Sequence, residues 1–255
     1  MDTATKEGKY IYCIIDSDQP QSFGPLGIGG RGDEVYTICF DDIAALVSDA
    51  PLGKYRVSRE NSLAHEKAIE AVMAEHTVLP VRFATVAEDE EKVKRILEKE
   101  HDRFKDLLDS TAGKTELSLK AIFKEEVIYK DIQQKYENIK LLKEKIAAIA
   151  PEKSHNQRMK IGEMVETALQ QEKQIVEEDI LNTLSPLAVE VKTNNPYGEL
   201  MIINAAFLVE KEKEAEFDRQ VQELVNKYGE KGNFKYVGPL PPFNFVNITI
   251  NTEDY

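Results

Sequence analysis

Few residues in this chain have the type and spacing that chemistry requires. Gly27 to Gly32 read GIGGRG, a match to G-x-G-x-x-G. In dinucleotide-binding folds that pattern turns a strand directly into a helix, whose N-terminus holds the pyrophosphate. Here the next residues, EVYTICF from Glu34, read as a strand, and the acidic residue wanted about 20 positions on is Asp49 at best. The run is therefore expected to be a glycine loop, and the RGD at Arg31 to Asp33 has meaning only with an extracellular address. His65 and His76, near Glu66 and Glu70, have the side chains of metal ligands. Eleven helical residues would hold the two rings about 16 Å apart, too far to share one ion, and H-E-x-x-H is absent. The expectation is two partly buried, hydrogen-bonded histidines on a packed helix face, with His101 and His155 isolated. Neither Ser58 nor Ser185 has the glycines of a nucleophile elbow, and the carboxylates mostly alternate with lysine on helix faces as solvated i to i+4 pairs. No catalytic residue, cofactor site or metal site is expected.

The elements that would carry a binding surface follow from periodicity. KYIYCIID reads as a strand buried on both faces, and EVYTICF and IAALVS, separated by Asp41 and Asp42, as a tight antiparallel pair. From Ser58 the pattern turns helical, with His65, Ile69, Val72, Met73 and His76 on one face. TVLPVRFAT reads as a strand in which Leu79, Val81 and Phe83 alternate against Val78, Pro80 and Arg82. Pro80 has no N–H to give a ladder, so this strand belongs at an edge. Thr85 and Glu88 match a capping box before a helix with the stripe Val93, Ile96, Leu97, Phe104, Leu107 and Leu108. Cys13 and Cys39 sit in strand-like runs and read as small buried hydrophobes in a reducing compartment; a disulfide between neighbouring strands is the alternative.

Gly113 in LDSTAGKTE marks a break. Beyond it, ELSLKAIF reads as a strand. One long helix follows through Ile128, Ile132, Tyr136, Ile139, Leu142, Ile146 and Ile149, and Pro151 stops it. A second runs from Ile161 to Leu184, and the two, each about 37 Å long, pair as an antiparallel hairpin. The strands LAVEVK and LMIINAAFLV, a helix through Phe217 to Tyr228 and the strand NFKYV complete a split βαβ, or ferredoxin-like, order. The fold class is α+β with two domains: residues 1–112, a small antiparallel sheet with helices; residues 113–238, a ferredoxin-like domain with a long helical hairpin; and a Pro-rich tail, 239–255, packing back on the body.

Composition narrows the partners. Lys and Arg number 33 against 46 Asp and Glu, a formal net charge of −13, and 42% of residues are hydrophobic. Enough apolar material exists for a core, while the charge has the wrong sign for nucleic acid or an anionic membrane. No apolar run reaches the roughly 20 residues of a membrane span, and MDTATKEGKYIYCIID lacks the features of a secretory signal. The expected location is the cytoplasm.

The tail, YVGPLPPFNFVNITI, is the most unusual stretch. Pro239, Pro241 and Pro242 favour an extended strap, after which Phe243 and Phe245 point one way and Val246, Ile248 and Ile250 the other. An exposed strip of this kind would aggregate, so it covers its own chain, at a sheet or a domain junction, or grips a partner.

GPLPPFNFV resembles the G-P-x-P-P-[YF]-x-F-V signature near the C-terminus of the gas vesicle GvpF/GvpL family, and HTVLPVRFATV resembles that family's other conserved block. The helix near His65 and the strand YIYCII stand in the right order, so the resemblance spans essentially the whole chain. Ala84 is a departure, since the family commonly has glycine there. The resemblance implies a minor structural or accessory protein of gas vesicle assembly, without catalysis, that associates with the hydrophobic shell protein GvpA and other accessory proteins. It places the chain in the cytoplasm with the vesicles. Pro80, Arg82, Phe83, Pro239, Pro241, Pro242, Phe243 and Phe245 are the candidate partner contacts, and a helix carboxylate is the expected mate of Arg82. The alternative is a small-molecule-binding or catalytic ferredoxin-like protein.

Overall fold

The computed structural model describes residues 6–147 and 154–255. The chain forms two compact units, Met1–Glu116 with Pro239–Tyr255, and Leu117–Gly238.

The first unit is built on β1 (Glu7–Ile15), β2 (Val35–Phe40), β3 (Ile43–Pro51), β4 (Val78–Pro80) and β5 (Val86–Ala87), in the order β2-β3-β1-β4 with β5 also on β1. Phe40 faces Ile43 across the turn between β2 and β3, where Asp41 adopts φ 48°, a conformation Asp tolerates better than most residues. β1 is central and buried on both sides. Its register slips between Ile11 and Cys13, and such a bulge shifts the in-out alternation by one residue. Tyr10, Tyr12, Cys13 and Ile15 consequently share one core cluster, while Ile11 and Ile14 belong to the other.

One helix serves each cluster. α1 (Arg59–Met73), capped by Ser58 Oγ accepting from the Asn61 N–H at 3.2 Å, buries Ala68, Ile69 and Val72 with the tyrosines. α2 (Glu90–Thr111) buries Val93, Ile96, Leu97, Phe104 and Leu108 with Ile11 and Ile14, each side chain contributing about 1.5–3 kcal/mol. The stripe read from sequence is the buried one, apart from Leu107, which is partly buried. The cap differs: Asp89 accepts from the Lys92 N–H at 2.8 Å, whereas the Thr85 hydroxyl donates to the Arg82 carbonyl at 2.7 Å. β5 occupies the residues between, so the capping box never forms. His76 lies beyond α1, which ends at Met73, and of the strand expected over TVLPVRFAT only Val78–Pro80 forms a regular strand, all three residues buried. Pro80 stands on the sheet's terminal strand, where its missing N–H breaks no ladder.

The second unit follows β6 (Lys114–Phe123), α3 (Glu125–Lys135), α4 (Glu137–Ala147), α5 (His155–Leu184), β7 (Glu190–Thr193), β8 (Met201–Glu210), α6 (Glu214–Tyr228) and β9 (Gly232–Leu240). The sheet order β7-β8-β6-β9 is that of the ferredoxin-like plan. The single first helix of the expected hairpin is two helices. Tyr136, at φ −97° and ψ 95°, breaks it, and its hydroxyl donates to Glu172 of α5 at 2.8 Å. Side-chain pairing across the hairpin thus outweighs helix continuity, which periodicity alone cannot reveal. Ile149 and Pro151 lie outside the described residues. α5 is 30 residues long, about 45 Å at 1.5 Å per residue.

Candidate groove on the first unit

The tail belongs to the first unit and is not a uniform strap. β9 runs on through Pro239 to Leu240, and Pro241 and Pro242 are buried. A helical turn then forms, with Val246 N–H donating to the Pro242 carbonyl at 2.8 Å and Phe245 N–H to the same oxygen at 3.0 Å. Proline preorganises such a turn at its first position because its φ is fixed and no N–H is needed there. Glu116, 1% exposed, accepts from the Asn244 backbone N–H at 2.8 Å and its side-chain amide at 2.6 Å. Beyond the turn the chain extends: Val81 bridges Ile248 in parallel, and the Arg82 N–H donates to the Ile248 carbonyl at 2.9 Å. Val246, Ile248 and Ile250 enter the core cluster of α2, and Phe243 packs against the cluster of α1.

This arrangement makes a groove of about 260 Å³ lined by Val57, Ser62, His65, Glu66, Pro80 to Phe83, Phe243, Val246 and Asn247. His65, in its lining, belongs to a buried neutral polar network. The Ala84 N–H donates to the Tyr10 hydroxyl at 3.0 Å, and that hydroxyl meets His65 Nδ1 at 3.1 Å. Burial pushes the His65 pKa down to about 4, against a backbone hydrogen bond at Val81 that favours the charged ring. Burial likewise raises the Tyr10 phenol, overcoming the Ala84 N–H. Both groups are uncharged near neutral pH. Phe83 contacts the Tyr10 and His65 rings edge-on.

Ala84 holds φ at 68°, in the left-handed region that glycine enters freely and other residues at a cost of about 1–2 kcal/mol. A turn that suits glycine is therefore made here with a methyl group on it. Tying the Ala84 N–H to Tyr10 and the Thr85 hydroxyl to Arg82 offsets that strain.

The rim carries the exposed groups. Val57 is 84% exposed. It precedes the Ser58 cap, where an apolar residue normally packs on the fourth helical residue, but that residue is Ser62. The Arg82 guanidinium has no ion-pair partner among the described residues, so the expected bridge to a helix carboxylate is not formed. Of the sequence-derived contacts, Pro80, Arg82, Phe83 and Phe243 come together here. Pro239 is exposed elsewhere on the chain, Pro241 and Pro242 are buried, and Phe245 is half-buried outside this lining. Val57, Asn247 and the Glu116 anchor escaped the sequence reading; the unpartnered apolar residue ahead of a cap was the available signal for Val57.

The other chemistry-bearing residues lie apart. The glycine run forms a turn over Ile28–Gly30 leading to β2 rather than a helix, and the Ile28 N–H donates to the Tyr12 hydroxyl at 2.8 Å. His76 meets Gln21 Oε1 at 3.1 Å, and His101 meets Asp42 at 2.9 Å. Cys13 and Cys39 are free thiols on β1 and β2, with β3 between them. Among the described residues no three His, Cys, Asp or Glu side chains cluster as a metal site, and no helix is long and apolar enough to cross a membrane.

Residues 8–247 match the family described as gas vesicle synthesis protein GvpL/GvpF. Gas vesicle protein F of Dolichospermum flosaquae is 29% identical over 94% of this chain and 97% of its own length. Gas vesicle protein F1 of Halobacterium salinarum is 24% identical over 97% and 96%. The crystal structure of GvpF from Anabaena sp. PCC7120 superposes with a TM-score of 0.82 at 29% identity, over 96% of this chain and all of that one. That of GvpF from Microcystis aeruginosa gives 0.74 at 26%, over 93% and 98%.

Proposed function

Because the chain belongs to the GvpL/GvpF family of gas vesicle synthesis proteins, we propose that it is a non-catalytic accessory protein of vesicle assembly that associates with the shell protein GvpA through the Pro80–Phe83 groove. One observation carries this reading. The two sequence blocks that bear the family resemblance, far apart in the chain, line the same groove on one unit. Core packing alone does not call for an exposed Val57 beside half-buried Phe83 and Phe243. Exposed apolar groups gathered around a preformed hollow are what a docking surface for an apolar partner requires. The net charge of −13 suits the task, since mutual repulsion keeps a complex with a self-associating subunit dispersed.

The test is retention of GvpA by the immobilised full chain and by Val57→Asp, whose exposed position leaves the fold intact. Truncating the tail would be a poor substitute, because it strips Val246, Ile248 and Ile250 from the core. Wild-type retention reduced at least tenfold by Val57→Asp is the expected result. Equal retention moves the contact elsewhere, and no retention by the wild type overturns the association.

A further inference from the structure

The groove's chemistry is more specific than apolarity. Arg82 lines two hollows at once: the apolar one of Val57, Phe83 and Phe243, and a second of about 640 Å³ with Thr85, Thr249, Thr252 and Glu253 in its wall. Its backbone is fixed by the Ile248 carbonyl on one side and the Thr85 hydroxyl on the other. The guanidinium therefore projects from a rigid base at the seam between an apolar and a polar surface. In a chain with 46 acidic side chains, an exposed guanidinium without an ion-pair partner among the described residues is one that internal pairing has left available.

We propose, resting on the groove being the docking surface, that its occupant is an acidic-apolar peptide segment: a bulky apolar side chain between Val57, Phe83 and Phe243, with a neighbouring Asp or Glu carboxylate on the Arg82 guanidinium. An arginine fork takes a carboxylate through two parallel N–H···O bonds. His65, neutral in the lining, offers no competing positive charge. Glu66 of α1, also in the lining, sets the polarity, because it repels a carboxylate placed towards α1 and leaves the Arg82 end as the favourable one.

The experiment measures binding of the full chain to overlapping twelve-residue peptides tiling GvpA, each made also with Asp and Glu replaced by Asn and Gln. Arg82→Gln, Glu66→Gln and the wild type are compared, with folding checked by thermal melting and intact GvpA retention run beside them. Wild-type binding should concentrate on peptides pairing a carboxylate with a bulky apolar residue, and fall about tenfold or more with the amide versions. Arg82→Gln should lose the same factor and discriminate no longer, while Glu66→Gln should bind the acidic peptides more tightly. If Arg82→Gln retains both intact GvpA and the peptides within twofold of wild type, the carboxylate assignment falls while the association with GvpA stands. If Glu66→Gln is the weakened variant, the ligand is basic and the assignment is overturned. Wild-type retention of neither GvpA nor any peptide overturns both readings.

Discussion

A buried polar cluster of the first unit and one of the second are held by opposite means. In the first, His65 and Tyr10 are both neutral, and their hydrogen bonds go to the backbone at Val81 and Ala84. In the second, Glu172, 7% exposed, accepts from the Lys135 ammonium and from the Tyr136 hydroxyl, whose pKa burial and then the carboxylate push up to about 12. The neutral cluster fixes the shape of a loop that lines a groove; the charged one locks a helix break against α5. The sheets differ in the same direction. The Pro80 edge of the first is continued by the unit's own tail, whereas the β7 edge of the second presents mostly exposed residues. Preorganisation is concentrated where the groove is.

The strongest way to break this contrast is at the two edges. Ile248→Ala removes a side chain 1% exposed and should cost about 2–5 kcal/mol in denaturant unfolding. Val191→Ala, at the half-buried position of β7, should cost well under half as much, and equal costs would mean the tail is not part of the first core.

Acid provides the next test. The His65 pKa in the folded protein is about 4, below its ordinary 6.5. Its contribution is complete above pH 6.5 and is lost as pH falls towards 4, because the unfolded ring takes up its proton first. The loss approaches about 3 kcal/mol. Amide exchange at pH 4.5, corrected for intrinsic rates, should show β1 losing protection relative to pH 7 while α5 keeps its own. Equal loss in both would remove His65 as the source.

Tyr136→Phe probes the charged cluster. Removing a hydrogen bond to an ionised acceptor costs about 1.5–3 kcal/mol, and the loss should appear in the second unit's amides alone. The smallest effect belongs to Ala84→Gly. Relief of the left-handed strain, partly cancelled by greater freedom in the unfolded chain, should stabilise the first unit by at most about 1 kcal/mol. A clear destabilisation would show that the Ala84 methyl has a packing role.

Much of the fold was legible because its signals are local. The apolar run of β1, the stripe of α2, the turn at Asp41 and Asp42 and the order of strands and helices beyond Gly113 all lie within short windows of sequence. The errors have long-range causes. Thr85 and Glu88 satisfy a capping pattern, but residues 86–87 are taken by pairing with β1. Periodicity runs straight through Tyr136, and the break there is tied to a carboxylate 36 positions away. Three prolines favour extension, yet Pro242 opens a turn whose Asn244 is held by Glu116.

By itself the sequence determined the α+β class, the family and the burial of β1, because residue type and spacing suffice wherever neighbours in the chain are neighbours in space. Only the tertiary structure decided that Arg82 stands without an ion-pair partner among the described residues, that Phe243 and Phe83 line one hollow while Pro241 and Pro242 are buried outside its lining, and that Tyr10 serves Ala84. Those are encounters between segments distant along the chain, and their geometry exists only after the tail has closed on the edge of the first sheet.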